Sequence, residues 1–177
     1  MNWLTKSVLP KIKAFVNKDE VKENLWVKCN SCEQMIFSKD LYENLNICTT
    51  CNFHMPFYPK ERLKFLFDEN SLELIDYSSE NQDILNFKDI KKYSDRLKQS
   101  KLVTEQDDCI YLAKGKIKNF PVVVAAFDFR FMGGSMGRSV GNAFIKGVNV
   151  AVDQKCAFIT IPSSGGARMQ EGIISLM

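Results

Sequence analysis

The sequence predicts an α/β domain preceded by a small metal-braced module, on three observations. Two CxxC pairs stand near the start, Cys29/Cys32 and Cys48/Cys51, separated by the fifteen residues 33–47. Apolar runs of strand length at 120–127 and 156–161 flank a segment with helical periodicity. The 177 residues are 45% hydrophobic and 25% charged, which fits one compact domain with an appendage and argues against a disordered or fibrous chain. The longest apolar runs are far shorter than the roughly 20 residues that cross a bilayer, so no membrane span is expected.

Charge divides the chain unevenly. Residues 1–28 hold six lysines against Asp19, Glu20 and Glu23, which accounts for the whole net charge of +3. The remainder sums to zero and offers no net basic field for nucleic acid. Residues 1–24 read as an arm, with Leu4, Val8, Ile12, Phe15 and Val16 near one helical face. A continuous apolar core and a small-residue cleavage site are both missing from it, so it reads as a docking helix or loose arm rather than a targeting sequence, and the protein as cytoplasmic.

Residues 25–57 form the expected module. A CxxC turn lets two thiolates converge on one ion while nearby N–H groups offset their charge, and two such turns complete a closed tetrahedral S₄ site. Cys29, Cys32, Cys48 and Cys51 are therefore the predicted ligands of one structural Zn²⁺ in a zinc ribbon. Disulfides and unrelated core cysteines are the competing readings; disulfides are disfavoured because no signal peptide accompanies the pairs and the remaining cysteines lie in apolar runs. Iron would also accept four thiolates, but zinc is the commoner occupant. The expected strands are 34–37 and 45–47, with polar residues 38–44 between them. His54, the single histidine, follows a complete ligand set and reads as a surface or supporting residue.

Residues 58–177 make the second domain. Pro59 followed by Leu63, Leu66 and Phe67 predicts a short helix. Residues 72–75 alternate like a strand, 77–83 are polar loop, and Ile90, Tyr93 and Leu97 mark a charged surface helix. Two strands, 110–117 and 120–127, meet at a Lys118-Asn119 turn. Val140, Phe144, Val148 and Val152 recur every four residues and predict a buried helical stripe. A buried strand at 156–161 and a helix from Ala167 complete the order. Cys109 and Cys156 each open an apolar run and read as buried thiols.

Glycine-rich loops, 132–137 and 162–166, each precede a predicted helix, where unpaired N–H groups and the helix dipole favour an anion. Two such loops within about thirty residues suggest one shared pocket, against the alternative of tight turns needed only for packing. Neither phosphate-binding signature, G-x-x-x-x-G-K-[ST] or G-x-G-x-x-G, occurs, so kinase, P-loop and ordinary dinucleotide-binding readings lose their motif. Backbone amides around an oxyanion remain possible, and they would suit chemistry through a thioester enolate. With one histidine beside the ribbon, no histidine triad can be assembled.

The run Phe131-Met132-Gly133-Gly134-Ser135-Met136-Gly137, with Ser164-Gly165-Gly166-Ala167-Arg168-Met169-Gln170-Glu171, closely resembles the β-subunit family of the bacterial-type acetyl-CoA carboxylase carboxyltransferases. Trp26, the four-cysteine ribbon and the pattern Leu85-x-Phe87-x-Asp89-x-Lys91-Lys92-Tyr93-x-Asp95-Arg96-Leu97 resemble it too, so the likeness covers nearly the whole chain. It implies a crotonase-like spiral domain behind the ribbon, and transfer of a carboxyl group from carboxybiotin to acetyl-CoA to give malonyl-CoA for fatty-acid synthesis. It also implies an α₂β₂ assembly in which the β subunit supplies the acyl-CoA side and the α subunit the biotin side. The biotin is carried on the biotin carboxyl carrier protein, and a biotin carboxylase consumes ATP to load it. Gly133, Gly134, Gly137, Gly165, Gly166, Ala167 and Arg168 are the acyl-CoA pocket residues implied, with Arg168 pairing either with a CoA phosphate or with Glu171. Family members continue past the position of Met177 into a Thr-Thr-Gly-Gly stretch that donates an oxyanion hole, so this sequence reads as the N-terminal part of such a subunit, with its catalytic residues unknown.

Two rivals stand beside this reading. Zinc ribbons often bind nucleic acid, yet residues 29–60 carry Lys39 and Lys60 against Glu33, Asp40 and Glu43, a net of −1, so that partner ranks second. A related acyl-CoA carboxyltransferase or decarboxylase of the same superfamily is the other.

Overall fold

The structure is a computed structural model that describes residues 25–79 and 83–177; the expected arm at 1–24 lies outside the described residues. The chain divides into two compact units, one ending at Pro56 and one spanning Phe57–Met177.

In the first unit, β1 (Trp26–Lys28) pairs antiparallel with β2 (Met35–Phe37), Val27 facing Ile36. This corrects the sequence reading: the partner of 34–37 lies before the first CxxC turn, and 45–47 forms no strand with it. Polar residues 38–44 are not open loop either, since α1 (Ser38–Glu43) starts directly at the end of β2. One helical turn brings Leu41 to rest with Ile36, Cys29 and Cys48 in a small core, and that burial is what a loop would have forfeited. A bridge between Ile47 and His54 frames the second turn as Lys28 and Met35 frame the first.

The second unit is a four-stranded sheet in the order β3 (Glu73–Leu74), β4 (Ile110–Ile117), β5 (Phe120–Phe127), β6 (Ala157–Ile161). The first three run antiparallel, and β5 and β6 are parallel. Lys118 and Asn119 both take positive φ, 51° and 68°, the two-residue turn whose twist suits a hairpin. Their amides donate to Asp68 at 2.8 and 2.7 Å, so the turn is held by the chain leaving α2 (Pro59–Leu66). Alternation sorts the strand residues between two cores. Ile110, Leu112, Val123, Ala125 and Phe127 face α4 (Arg138–Asp153), while Tyr111, Ala113, Val122, Val124 and Ala126 face Leu63 and Phe67. Cover on both faces explains why β5 reads as a continuous apolar run.

Four further expectations are corrected. The buried face of α4 is Val140, Ala143, Gly147 and Ala151, while Val148 and Val152 are 43% and 67% exposed. A strict four-residue repeat advances 400° rather than 360° and so drifts around the helix, and small residues at 143, 147 and 151 let it approach the sheet. At Gly147 an added Cβ would lie 2.8 Å from Leu112. β6, expected to be buried, has three exposed residues of five, because it is the outermost strand with one ladder neighbour among the described residues. Residues after Ala167 form a 3₁₀ segment, Met169–Leu176, broken at Gly172, rather than a regular helix. The expected surface helix is α3 (Tyr93–Thr104), but Tyr93 is fully buried and Ile90 lies outside it, 92% exposed.

Candidate functional site

The four predicted ligands converge. Their sulfur atoms lie within 4.8 Å of one another, and Cys29–Cys51 and Cys32–Cys48 are each 3.7 Å apart. Zinc–sulfur bonds of about 2.3 Å in a tetrahedron separate sulfurs by about 3.8 Å, so the set fits zinc with no open coordination position. Both turns share one backbone plan. The amide five positions into each, at Glu33 and Asn52, donates to the carbonyl of Cys29 or Cys48 and has positive φ, and the Cys29 and Cys48 amides donate to Gln34 and Phe53. N–H groups inside each turn point at sulfur: Cys51 and Thr50 hold the Cys48 thiol down to about 6, and Cys32 and Ser31 lower Cys29. Cys32 receives the Gln34 amide, yet desolvation and the neighbouring thiols push it up to about 12. A group of thiols that crowded invites a cation. His54 is exposed and outside the set.

In the second unit the two glycine loops meet through their backbones. The Gly165 amide donates to Gly133 at 2.9 Å, the Met136 amide to Gly166 at 2.8 Å, and the Arg168 amide to Met136 at 2.8 Å. Met136 and Ala167 form a parallel bridge. Gly134 has φ +63°, and a Cβ there would collide with the Ser163 carbonyl, so only glycine lets the loops close to this separation. Gly166 has φ +111° with nothing within 4 Å of where its Cβ would be, so glycine is required there by conformation and the space beside it is open. The Gly166 amide donates to the exposed Ser164 hydroxyl at 3.0 Å. A pocket of about 490 Å³ reaches from Met136 and Gly137 along Val140 and Phe144 of α4 to Ile174.

Arg168 has two expected partners, a phosphate or Glu171, and in the structure its side chain is turned inward. Its guanidinium is fully buried and grips Asp108 through two bonds of 2.6 and 2.9 Å, Glu171 at 3.2 Å and the Ser135 carbonyl at 2.6 Å. It is thus the second alternative, pairing with Glu171, that the geometry adopts. Burial opposes the charge, but the Asp108 carboxylate more than offsets it and holds the guanidinium protonated. Glu171 also accepts from Tyr93 at 2.5 Å and from the first amide of α4, that of Arg138, at 2.7 Å. Its carboxylate therefore occupies the positive end of α4, so the anion expected at that helix start is supplied by the chain itself. Gly137 is glycine for the same reason, as a Cβ would sit 2.5 Å from Glu171.

Sequence reasoning missed Asp108 and Tyr93 as members of this cluster. Asp108 carried a signal, an acid set directly before a buried strand, and it also receives the Cys109 amide at 2.6 Å. Burial and the neighbouring Asp108 raise the Cys109 thiol above its ordinary range. Burial, then the bond to Glu171, does the same for the Tyr93 phenol.

Loops joined in this way behind a Cys₄ ribbon define a class, and comparison identifies it. Residues 80–177 match the carboxyl transferase domain family, and residues 26–51 match the acetyl-CoA carboxylase zinc finger domain, so the chain belongs to the carboxyl transferase domain family. Within that family it is 44% identical over all 177 residues to the acetyl-coenzyme A carboxylase carboxyl transferase subunit beta of Rhizobium rhizogenes, and 47% to that of Granulibacter bethesdensis. The chain spans 58% of the length of each. Among solved structures, the transcarboxylase 12S hexamer with bound methylmalonyl-coenzyme A is similar over 67% of this chain and 21% of its own, at 28% identity and a TM-score of 0.52. The fold is crotonase-like.

Proposed function

We propose that the chain supplies the acyl-CoA side of an acetyl-CoA carboxylase carboxyltransferase, as a β subunit that receives a carboxyl group on acetyl-CoA and yields malonyl-CoA. The observation that carries this is the closure of the two glycine loops on each other beside open space at Gly166, together with 44–47% identity to β subunits along the whole chain. Loss of a methyl proton from acetyl-CoA places negative charge on the thioester oxygen, and backbone amides aimed at that atom stabilise the enolate without reorganising. The Gly166 amide is the candidate donor, with the Ser164 hydroxyl giving way to the thioester. The Arg168 cluster holds the loops in place from beneath. Carboxybiotin, delivered on the carrier protein, is the carboxyl donor, and biotin carboxylase consumes ATP to make it; an α subunit completes the site in an α₂β₂ enzyme of the cytoplasm. Zinc, held by the four cysteines, supplies only structure.

The test is a chimera in which residues 1–177 replace the matching part of the Rhizobium rhizogenes subunit, assembled with its α subunit and carboxylated carrier. Malonyl-CoA formation is expected from acetyl-CoA, and Gly166→Val lowers kcat/KM at least a hundredfold. A Gly166→Val enzyme that assembles and retains its kcat/KM refutes the site. A chimera that assembles and carboxylates only longer acyl-CoA esters refutes the substrate.

A further inference from the structure

The first glycine loop opens on a strained residue. Met132, Gly133 and Gly134 take positive φ in succession, 49°, 66° and 63°. Glycine adopts that conformation freely, but at Met132 the side chain crowds the backbone, and such a residue persists only where its surroundings hold it. From one side the run is held by the second loop, since the Gly133 carbonyl accepts the Gly165 amide at 2.9 Å. On the other side stands a hook at 128–131, directly past the end of β5.

The hook is built around one buried carboxylate. The Asp128 amide donates to the Cys109 carbonyl at 2.6 Å, which carries the β4–β5 ladder one residue further. Its fully buried carboxylate accepts from the Arg130 amide and Nε, both at 2.9 Å, and from Nη2 at 2.5 Å. The Asp128 carbonyl accepts the amide of Phe131 at 3.1 Å, and the fully buried Phe131 ring lies 5.5 Å from the guanidinium carbon of Arg168. Tyr58 closes the hook from outside: the Arg130 guanidinium carbon is 3.8 Å from the centre of its ring, a cation–π contact. The ring is itself anchored, because Tyr58 directly precedes α2, its carbonyl accepts the Arg62 amide at 2.9 Å, and buried Pro59 and Leu63 seat that helix. A planar guanidinium with its edge on a carboxylate and its face on a ring has little rotational freedom left. The Arg130 side chain is 32% exposed, so the ring also shields the ion pair from water and strengthens it.

We propose that Tyr58 and Arg130 are positioning residues for the reaction. They clamp the hook, the hook holds Met132 in its left-handed conformation, and the loop so held keeps Gly165 in place and the neighbouring Gly166 amide aimed at the thioester oxygen. The last step rests on the acyl-CoA reading above; the clamp does not. Amide hydrogen exchange of the zinc-loaded chain, read residue by residue by NMR, tests the clamp without any substrate. Tyr58→Leu is expected to speed exchange at Gly165 and Met136 about tenfold and to leave the amides of β5 unchanged. Tyr58→Phe, which keeps the ring face, retains the wild-type rates. Tyr58→Leu/Met132→Gly recovers most of the protection, because glycine needs no clamp to hold a positive φ. In the chimera described above, Tyr58→Leu lowers kcat for malonyl-CoA formation about tenfold with the acetyl-CoA KM within about twofold, and Tyr58→Phe restores it. Unchanged exchange at Gly165 in Tyr58→Leu, exchange that quickens equally in β5, or a double variant no better protected than Tyr58→Leu overturns the clamp. Faster exchange with kcat unchanged, or a rise in KM alone, overturns its part in the reaction. A wild-type chimera that assembles and forms no malonyl-CoA refutes the acyl-CoA reading, while the exchange rates still decide the clamp.

Discussion

Removing the Arg168 side chain tests the buried cluster most directly. Arg168→Ala strands two carboxylates, Asp108 and Glu171, whose side chains are 0% and 2% exposed. Glu171 keeps the Tyr93 hydroxyl and the Arg138 amide as donors, so most of its charge remains satisfied. Asp108 loses both charge-assisted bonds to the guanidinium and keeps the Cys109 amide, so the cost falls mainly there. Breaking a buried pair by deleting one partner costs about 3–5 kcal/mol, and the retained donors place this case near 4. Against a domain stability of about 5–15 kcal/mol, the variant folds marginally. Urea unfolding should be followed by circular dichroism, because residues 57–177 contain no tryptophan. Arg168→Ala/Asp108→Ala removes the stranded charge and recovers about 1–2 kcal/mol of the loss. Arg168→Lys recovers less than half, since an ammonium cannot reproduce the two-pronged grip on Asp108. An Arg168→Ala protein within about 1 kcal/mol of wild type refutes the reasoning, because a side chain with those partners cannot then be what neutralises them.

Two further outcomes follow from the same geometry. Gly134→Ala combines a left-handed residue, costing about 1–2 kcal/mol, with a collision against the Ser163 carbonyl, so a total loss of about 3 kcal/mol is expected; Gly165→Ala, whose Cβ would sit 3.4 Å from Gly133, should cost under about 1 kcal/mol in the same urea titration. Equal losses would show that the loops are not held at this separation. Iodoacetamide at pH 8 should label Cys156 alone in zinc-loaded protein, the four ribbon cysteines once a chelator has removed the zinc, and buried Cys109 only on unfolding. Labelling counted by intact-protein mass checks this, and early reaction at Cys29 or Cys48 with zinc present would contradict the Cys₄ site.

What the sequence determined by itself is local in character. Two CxxC turns identify four ligands because each turn positions its own sulfurs and amides within six residues, and the site needs only two such turns to meet. Strands 110–117 and 120–127 are legible because two apolar, β-branched-rich runs of strand length meet at an adjacent Lys118-Asn119 turn, which specifies a hairpin without reference to the rest of the chain. The glycine loops were visible as glycine, and their mutual approach was inferred from that. Tertiary structure decided everything that depends on distant partners. Arg168 meets Asp108 across sixty residues and Glu171 meets Tyr93 across seventy-eight, and no spacing rule encodes such pairs. That long reach decided between the two expected partners of Arg168, and it placed a carboxylate of the chain itself at a helix end where the sequence had pointed only to an anion. The buried face of α4 was decided in the same way, since which of its apolar residues turn inward depends on how closely the sheet approaches, and small side chains at Ala143, Gly147 and Ala151 set that distance.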